Sequence, residues 1–156
     1  MGLLPAEYGA QGVVPIGRLD QDSCGLLLLT NDGDLIQGLL HPSKEVWKTY
    51  RVVVRGEVTK AKLTQLESGT VIDGRETRRA KVRLLDERKP NETEIEVSIS
   101  EGRKRQIRRM CRKAGLQVEY LQRVAFGPIR LGKLPESRFR VLSTKEVRAL
   151  QEAGGL

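Results

Sequence analysis

Apolar and polar residues alternate with a period of two in several stretches of the chain, as they do in β-strands. The longest such stretch is 46–58, which places Lys48 and Tyr50 on one face of the predicted strand. Segments 77–87 and 92–100 predict two further strands joined by a four-residue turn as a hairpin. Shorter strands are predicted at 13–20, 25–30, 118–124 and 129–131.

Other stretches repeat apolar residues every three or four positions, which indicates helices at 35–40, 59–67, 103–114 and 143–152. The helix at 103–114 is the most two-sided, because Ile107 and Met110 share one face while arginines occupy the other. The order of elements lacks the regular strand–helix alternation of a doubly wound fold. We therefore predict an α+β fold with a mixed, mostly antiparallel sheet and flanking helices.

The length of 156 residues fits one domain with a single core. Residues 1–12 show neither period, so we expect an irregular segment there and one domain over 13–156. The longest apolar run, 25–29, is far shorter than the ~20 residues that cross a bilayer. The first ten residues also lack the pattern of a signal peptide. We expect a monomer in the cytoplasm that does not enter a membrane.

Residue types that often carry metal or nucleophilic chemistry are few. Cys24 and Cys111 lie far apart and form no Cys-x-x-Cys or Cys/His cluster of the kind that holds zinc. We interpret both as small buried hydrophobic residues. His41, the single histidine, is followed by a proline and a serine, and we expect a structural or solvent-facing role in a loop. The sequence thus predicts no metal site.

Positive charge is concentrated in one segment. The chain has 28 Lys and Arg against 20 Asp and Glu, a formal net charge of +8, and 103–113 alone carries seven positive charges. A run of charge is usually a solvated helix face, but nearly unmixed arginines repel one another unless an anion compensates them. We therefore favour binding of RNA or DNA. Aromatic residues make up only 4% of the chain, which argues against a stacking platform for single strands.

A second candidate site is Asp20, which lies between two apolar segments in the stretch 17–23. An aspartate in this setting can form a turn, cap a backbone group or act as a reactive carboxylate, and the residue types leave these roles open. Arg18 would point to the same side of an extended segment, where its guanidinium favours the anionic carboxylate.

Three blocks of the sequence are recognisable together. Residues 17–33 read GRLDQDSCGLLLLTNDG, residues 48–52 read KTYRV, and residues 101–110 read EGRKRQIRRM. A C-terminal pattern formed by Arg123, Gly127, Ile129, Leu131 and Gly132 follows. In this order the blocks resemble the signature of the RsuA-like pseudouridine synthases, which modify ribosomal RNA. The resemblance runs from about residue 13 to the C-terminal helix.

The resemblance implies an isomerase that breaks the N-glycosidic bond of a uridine, turns the uracil and joins its C5 to the ribose, with no metal or other cofactor. It implies Asp20 as nucleophile or base, Tyr50 as the ring that stacks on the flipped base, and Arg108 as the partner of the Asp20 carboxylate. Residues expected to bind RNA are Arg18, Lys48, Arg103, Arg105, Gln106 and Arg109. The expected partner is ribosomal RNA, with a weak preference for the large subunit, and the choice between a Michael-type and a glycal pathway stays open.

Two features of the family are not found in these 156 residues. The family core usually begins with an extra strand carrying a Lys-Pro motif, often preceded by a small, separate RNA-binding domain. Residues 1–12 match neither. The sequence therefore represents either part of a longer protein or a minimal variant.

Two other functions compete with this interpretation. Asp20 and Asp22 after an apolar segment imitate the paired carboxylates of a Mg²⁺-dependent, aspartate-based phosphotransferase. Such an enzyme also needs further acidic ligands on a parallel sheet, and Arg18 would be unfavourable beside a metal. The second alternative is a non-catalytic RNA-binding module, which the concentrated arginines alone would explain.

Overall fold

The computed structural model describes residues 4–156, apart from the side chain of Arg88. The strands are β1 (Val14–Pro15), β2 (Cys24–Gly25), β3 (Leu29–Thr30), β4 (Lys48–Arg55), β5 (Val71–Ile72), β6 (Arg75–Glu76), β7 (Lys81–Lys89), β8 (Glu92–Ile99), β9 (Gln117–Phe126) and β10 (Ile129–Arg130). The helices are α1 (Ala6–Ala10), α2 (Gly33–Leu40), α3 (Lys60–Ser68), α4 (Gln106–Lys113) and α5 (Thr144–Ala153), with a 3-10 turn at Pro42–Lys44.

The main sheet has the strand order β10–β9–β4–β8–β7, and its neighbours on this path are antiparallel. Strand β2 pairs in parallel with β9, which makes the sheet mixed. Strands β1 and β3 form a separate small pair, and β5 and β6 form a tight hairpin. The predicted α+β fold with a mostly antiparallel sheet is confirmed.

Two clusters of buried apolar side chains form the core. One lies between the sheet and helices α3 and α4, and includes Val52 and Met110. The other lies against α2 and α5, and includes Ile16, Phe126 and Leu150. The second cluster supports the loop that contains Asp20. Within residues 4–156, no helix is long and apolar enough to cross a membrane.

Several predicted elements have different bounds in the structure. Segment 1–12 was expected to be irregular, but 6–10 form helix α1; residues 1–3 lie outside the described residues. The predicted strand at 25–30 divides into the ends of two strands in different sheets. The helix expected from 103 begins at Gln106, because Arg105 has the left-handed φ of 51° that precedes the first helical turn. Helix α5 begins with a capping box formed by Ser143 and Glu146.

The two cysteines differ in their surroundings. Cys111 is fully buried, as expected, and burial raises the pKa of its thiol to about 12. Cys24 is only partly buried, and its Sγ lies 3.1 Å from the Tyr120 hydroxyl, so the expectation of a second buried cysteine is wrong. The His41 ring accepts a hydrogen bond from the Ser43 N–H, which confirms a structural role in a turn.

Candidate active site

Asp20 lies in a tight turn whose two ends are anchored to the rest of the fold. The Ser23 N–H donates to the carbonyl oxygen of Asp20 at 2.9 Å and closes the turn. Upstream, Ile16 is buried in the second core cluster. Downstream, the Leu26 N–H donates to the carbonyl oxygen of Arg123 at 2.8 Å. The half-buried Asp20 side chain therefore starts from a fixed backbone.

Gly25 allows this segment to lie directly against β9. Its φ is 107°, and a Cβ at this position would lie 2.6 Å from the amide nitrogen of Arg123 and clash with its carbonyl oxygen. Glycine alone combines this backbone conformation with so close an approach. Arg123 completes the attachment, because its Nε donates to the Leu26 carbonyl oxygen at 2.9 Å. The close approach to β9 thus explains why the first sequence block has a glycine at position 25.

Asp20 and Tyr50 line the same cavity, which has a volume of about 350 Å³. Tyr50 lies on the inner face of β4, two residues after Lys48. Five of the residues expected to bind RNA also line this cavity: Arg18, Lys48, Arg103, Arg105 and Gln106. The structure therefore brings the predicted nucleophile and the predicted stacking ring together, while their catalytic roles stay predictions.

The first turn of α4 is tied to the Asp20 turn through Asp22. Arg105 donates from both Nη atoms to the two Asp22 carboxylate oxygens, at 3.0 and 2.9 Å. Arg108 approaches the same carboxylate with its Nε at 3.5 Å and donates from Nη2 to the Asp22 carbonyl oxygen at 2.6 Å. The hydrogen bond from Arg105, with the positive charge of Arg108, lowers the pKa of the Asp22 carboxyl. Asp22 therefore stays anionic and holds both guanidinium groups.

The expected ion pair between Arg108 and Asp20 is not formed. Among the described residues Asp20 has no ion-pair partner. Arg108, which does not line the cavity, contacts Asp22 and Ser23 instead. The turn contains two aspartates, and Arg108 contacts Asp22, which is the one that reaches the first turn of α4. The predicted partner of Arg108 is therefore wrong in this structure, although its location beside the turn follows the sequence block.

Three residues of the predicted RNA-binding set also support the local fold. Gln106 is only 3% exposed, and its Oε1 accepts a hydrogen bond from the Arg103 N–H at 3.1 Å. The Arg103 side chain donates to two carbonyl oxygens of the β5–β6 hairpin. Arg109 pairs with Asp73 in the turn of that hairpin, at 2.6 Å. The amide of Gln106 is used within the protein, although the residue lines the cavity, and its contact with RNA stays a prediction.

Arg123 lines the cavity, although sequence reasoning gave it no role. It lies directly opposite Tyr50 in the β4–β9 pairing, and it is 4% exposed. A one-residue register shift at Val124 produces this pairing, because Thr49 pairs with Ala125 and Tyr50 with Arg123. Arg123 belongs to the C-terminal sequence pattern, which could have identified it as a candidate. The register shift that turns it toward the cavity is not visible in the sequence.

A family model described as RNA pseudouridylate synthase matches residues 3–113, well over half of the chain. The chain belongs to this family. One similar pseudouridine synthase is an uncharacterized RNA pseudouridine synthase of Aquifex aeolicus, 37% identical over 144 residues. Another is ribosomal large subunit pseudouridine synthase B of Bacillus subtilis, 42% identical over 142 residues. The matches cover 92% and 90% of this chain but 57% and 58% of the relatives, so the chain spans somewhat more than half of their length.

The pseudouridine synthase fold is confirmed by a solved structure. A crystal structure of a pseudouridylate synthase matches with a TM-score of 0.87 and 30% identity, over 96% of this chain and 64% of the other. The resemblance read from the three sequence blocks is thereby confirmed. The site geometry also differs from that of the phosphotransferase alternative, because Asp20 and Asp22 lie in a turn and Asp22 is paired with two arginines. Within residues 4–156, no group of three or more His, Cys, Asp or Glu is placed to hold a metal ion.

Proposed function

We propose that this chain forms the catalytic site of a pseudouridine synthase that isomerises a uridine of ribosomal RNA. The observation that supports this proposal most strongly is that Asp20 and Tyr50 line one cavity whose walls include basic side chains. A carboxylate can react at the ribose, and a phenol ring can receive a base that has left the RNA stack. Membership of the pseudouridylate synthase family supports the same chemistry.

Asp20 is the nucleophile or base that acts on the ribose. Its carboxylate has no ion-pair partner among the described residues, so its oxygen atoms are available to the substrate. Tyr50 stacks on the extruded uracil and replaces part of the stacking lost on flipping, which costs a few kcal/mol. Arg108 is a positioning residue, because it holds the turn of Asp20 through its contacts with Asp22 and Ser23.

The basic side chains around the cavity bind the phosphate backbone of the RNA. Arg18 is exposed at the cavity, and Arg105 is 42% exposed beyond its contact with Asp22. Arg109 and Lys104 extend the positive surface along the start of α4. Contacts of this kind provide affinity without sequence choice and weaken steeply as salt is raised. Recognition of one uridine therefore requires further contacts in the cavity.

The relatives favour ribosomal RNA of the large subunit as the substrate. One of them carries the name ribosomal large subunit pseudouridine synthase B. We infer that the protein acts as a monomer in the cytoplasm, where ribosomal RNA is modified. The product is an isomer of the substrate, so the reaction consumes no redox equivalent and no nucleotide, and we infer that it uses no metal.

The Asp20→Asn variant tests the catalytic role. The protein is incubated with a large-subunit ribosomal RNA transcript, and new pseudouridines are mapped by carbodiimide-dependent reverse-transcription stops. We expect loss of turnover on the order of 10³-fold or more, with unchanged RNA affinity, because the variant removes the reacting carboxylate but not the cations. Asp86→Asn, which removes an exposed carboxylate on β7, should retain full activity. Equal turnover by Asp20→Asn and wild type would remove Asp20 from the mechanism.

The same experiment addresses the alternative of a non-catalytic RNA-binding module, which the arginines around the cavity would also fit. If wild-type protein binds the transcript but forms no pseudouridine at any position, the module is favoured. Pseudouridine formed by wild type and not by Asp20→Asn favours the enzyme.

A further inference from the structure

Arg123 is a buried cation with a hydrogen-bond donor that nothing in the described structure uses. The residue is 4% exposed, and its Nε is bound to the Leu26 carbonyl oxygen. Its Nη2 is buried and has no hydrogen-bond partner among the described residues. Leaving a buried polar group unpaired destabilises the fold, and a charged group more so, and such groups are therefore rare. The unused donor therefore points to an acceptor that arrives with a ligand.

The position of Arg123 indicates which ligand atoms it can reach. Arg123 and Tyr50 are directly opposed on neighbouring strands, and both line the cavity. Side chains opposed in this way have Cβ atoms about 4.5–5.5 Å apart. A base stacked on the Tyr50 ring would present an edge to the neighbouring guanidinium. Asp20 lines the same cavity and would act on the ribose attached to that base.

Lys48 is the second cation at this place. Its Nζ lies 5.6 Å from the centre of the Phe126 ring, and the Arg123 guanidinium carbon lies 5.2 Å from the same centre. Burial, followed by the positive charges of Arg123 and Arg78, lowers the pKa of Lys48, and Glu101 opposes this with the smallest effect. Among the described residues, neither Lys48 nor Arg123 forms an ion pair. A buried cation beside a half-buried one, neither of them in an ion pair, favours an anionic ligand.

We propose that Arg123 and Lys48 form an oxyanion site that binds the carbonyl oxygens of the target uracil and stabilises the negative charge on the detached base. This inference rests on the proposed function. When the C1′–N1 bond breaks, both bonding electrons stay with the base and are shared among N1, O2 and O4. The C1′–C5 bond then forms, C5 loses its proton and N1 gains one, so the atoms balance. Preorganised donors act most strongly on charge that develops in a site shielded from water.

A phosphate of the flipped nucleotide would offer the same oxyanion chemistry from another source. The two sources differ in the step that they affect. A phosphate is charged before and after reaction, so its contacts contribute to RNA affinity. A uracil oxygen gains charge only as the glycosidic bond breaks, so its contacts contribute to the rate.

Lys48→Met tests the inference with little risk to the fold, because methionine retains the apolar stem and removes the charge. Single-turnover rate constants are measured on a saturating large-subunit ribosomal RNA transcript, together with the Kd for that transcript and thermal unfolding. We expect a fall in rate of about 10²-fold with a nearly unchanged Kd. Lys81→Met is the matched control, since Lys81 also lies over an aromatic ring, 4.4 Å from the centre of Trp47, but outside the cavity lining. It should retain the wild-type rate.

A transcript made with 5-fluorouridine provides a second readout. Fluorine makes the detached base a more stable anion, so the deficit of Lys48→Met in glycosidic cleavage should shrink on this transcript. Arg123→Lys, which keeps the charge but replaces the three guanidinium nitrogens by one ammonium nitrogen, should show a smaller deficit of the same kind. Thermal unfolding identifies any loss of the Arg123 contact with Leu26.

The outcomes are distinguishable from one another. An unchanged rate with a raised Kd and a shallower salt dependence assigns the two cations to phosphate and overturns the inference, while the proposed function stands. An unchanged rate and Kd also overturn it. Absence of pseudouridine from the wild-type reaction overturns the proposed function, and this inference with it.

Discussion

Two groups of cations meet around the cavity, and they differ in what they contact. The rim arginines are Arg105, Arg108 and Arg109, all on or beside α4, and each contacts a carboxylate of Asp22 or Asp73. The floor cations are Lys48 and Arg123, which have no ion pair among the described residues. The acidic partners of the rim are more than half exposed, whereas the floor lies against the Phe126 ring.

This difference suits the two groups to different roles: the rim arginines to RNA affinity and the floor cations to the reaction. An exposed ion pair contributes little, so an RNA phosphate can replace Asp22 or Asp73 at small cost. Arg123 is buried and has no such exchange with solvent, so the acceptor for its unpaired donor must come from a ligand that enters the cavity. The rim therefore suits any polyanion, while the floor suits a single nucleotide. Charge counted along the sequence cannot make this distinction.

Gly25→Ala should have the largest effect, because Gly25 allows the Asp20 segment to lie against the strand that carries Arg123. The new Cβ would meet the backbone of Arg123, and the φ of 107° is unfavourable for alanine. We expect a loss of about 1–3 kcal/mol in the free energy of unfolding. Turnover should fall in the folded fraction as well, because the separation of β2 from β9 moves Asp20 away from Tyr50. Urea unfolding and single-turnover assays measure the two effects.

Gly33→Ala is the matched control for this prediction. Gly33 begins α2, has open space where a Cβ would lie and does not have a positive φ. Alanine there should leave stability unchanged or raise it by about 0.4–1 kcal/mol. Equal stability of the two variants would show that the close approach at Gly25 does not contribute to the free energy of unfolding.

The parts predicted from the sequence are those set by local pattern. Hydrophobic period placed the long strands and the last helix, and the three sequence blocks singled out Asp20 and Tyr50, which do share a cavity. The partner of Arg108 was assigned incorrectly, because two aspartates stand two residues apart and only the direction of the turn decides between them. Arg123 reaches the cavity only through a register shift in β9, a long-range feature of strand pairing.

Asp22→Asn should raise RNA affinity, because it removes the carboxylate that two rim arginines contact. Without the carboxylate, Arg105 loses its bidentate partner and no acidic group has to be displaced by phosphate. We expect RNA to bind about two- to fivefold more tightly at low salt, with the gain fading as salt rises. The Arg108 bond to the carbonyl oxygen of residue 22 does not depend on the carboxylate, so the turn should persist. Filter binding across a salt series measures the effect.

Asp86→Asn changes the net charge by the same amount on β7, away from the cavity lining. It should produce a much smaller gain in RNA affinity. If the two variants bind RNA equally, the gain comes from overall charge and the Asp22 contact plays no part. Weaker binding by Asp22→Asn would indicate that Asp22 positions the rim arginines for RNA.

Glu146→Gln should have the smallest effect, and it shows what an ion pair does when it serves only the fold. The Arg140 guanidinium beside Glu146, with the backbone N–H of Ser143, lowers the pKa of this carboxyl from 4.5 to about 2. A carboxyl with a lowered pKa in the folded state stabilises the protein above its unfolded pKa, and this contribution is lost as pH falls through the folded pKa. The variant should therefore unfold at a slightly lower temperature at pH 7, and the difference should shrink between about pH 4.5 and 2.

Glu152→Gln, at the other end of α5, should not reproduce this profile, and neither variant should alter RNA affinity. A change in RNA affinity with Glu146→Gln would mean that arginines outside the cavity also contact the substrate, and the division between rim and floor would then describe only part of the RNA-binding surface.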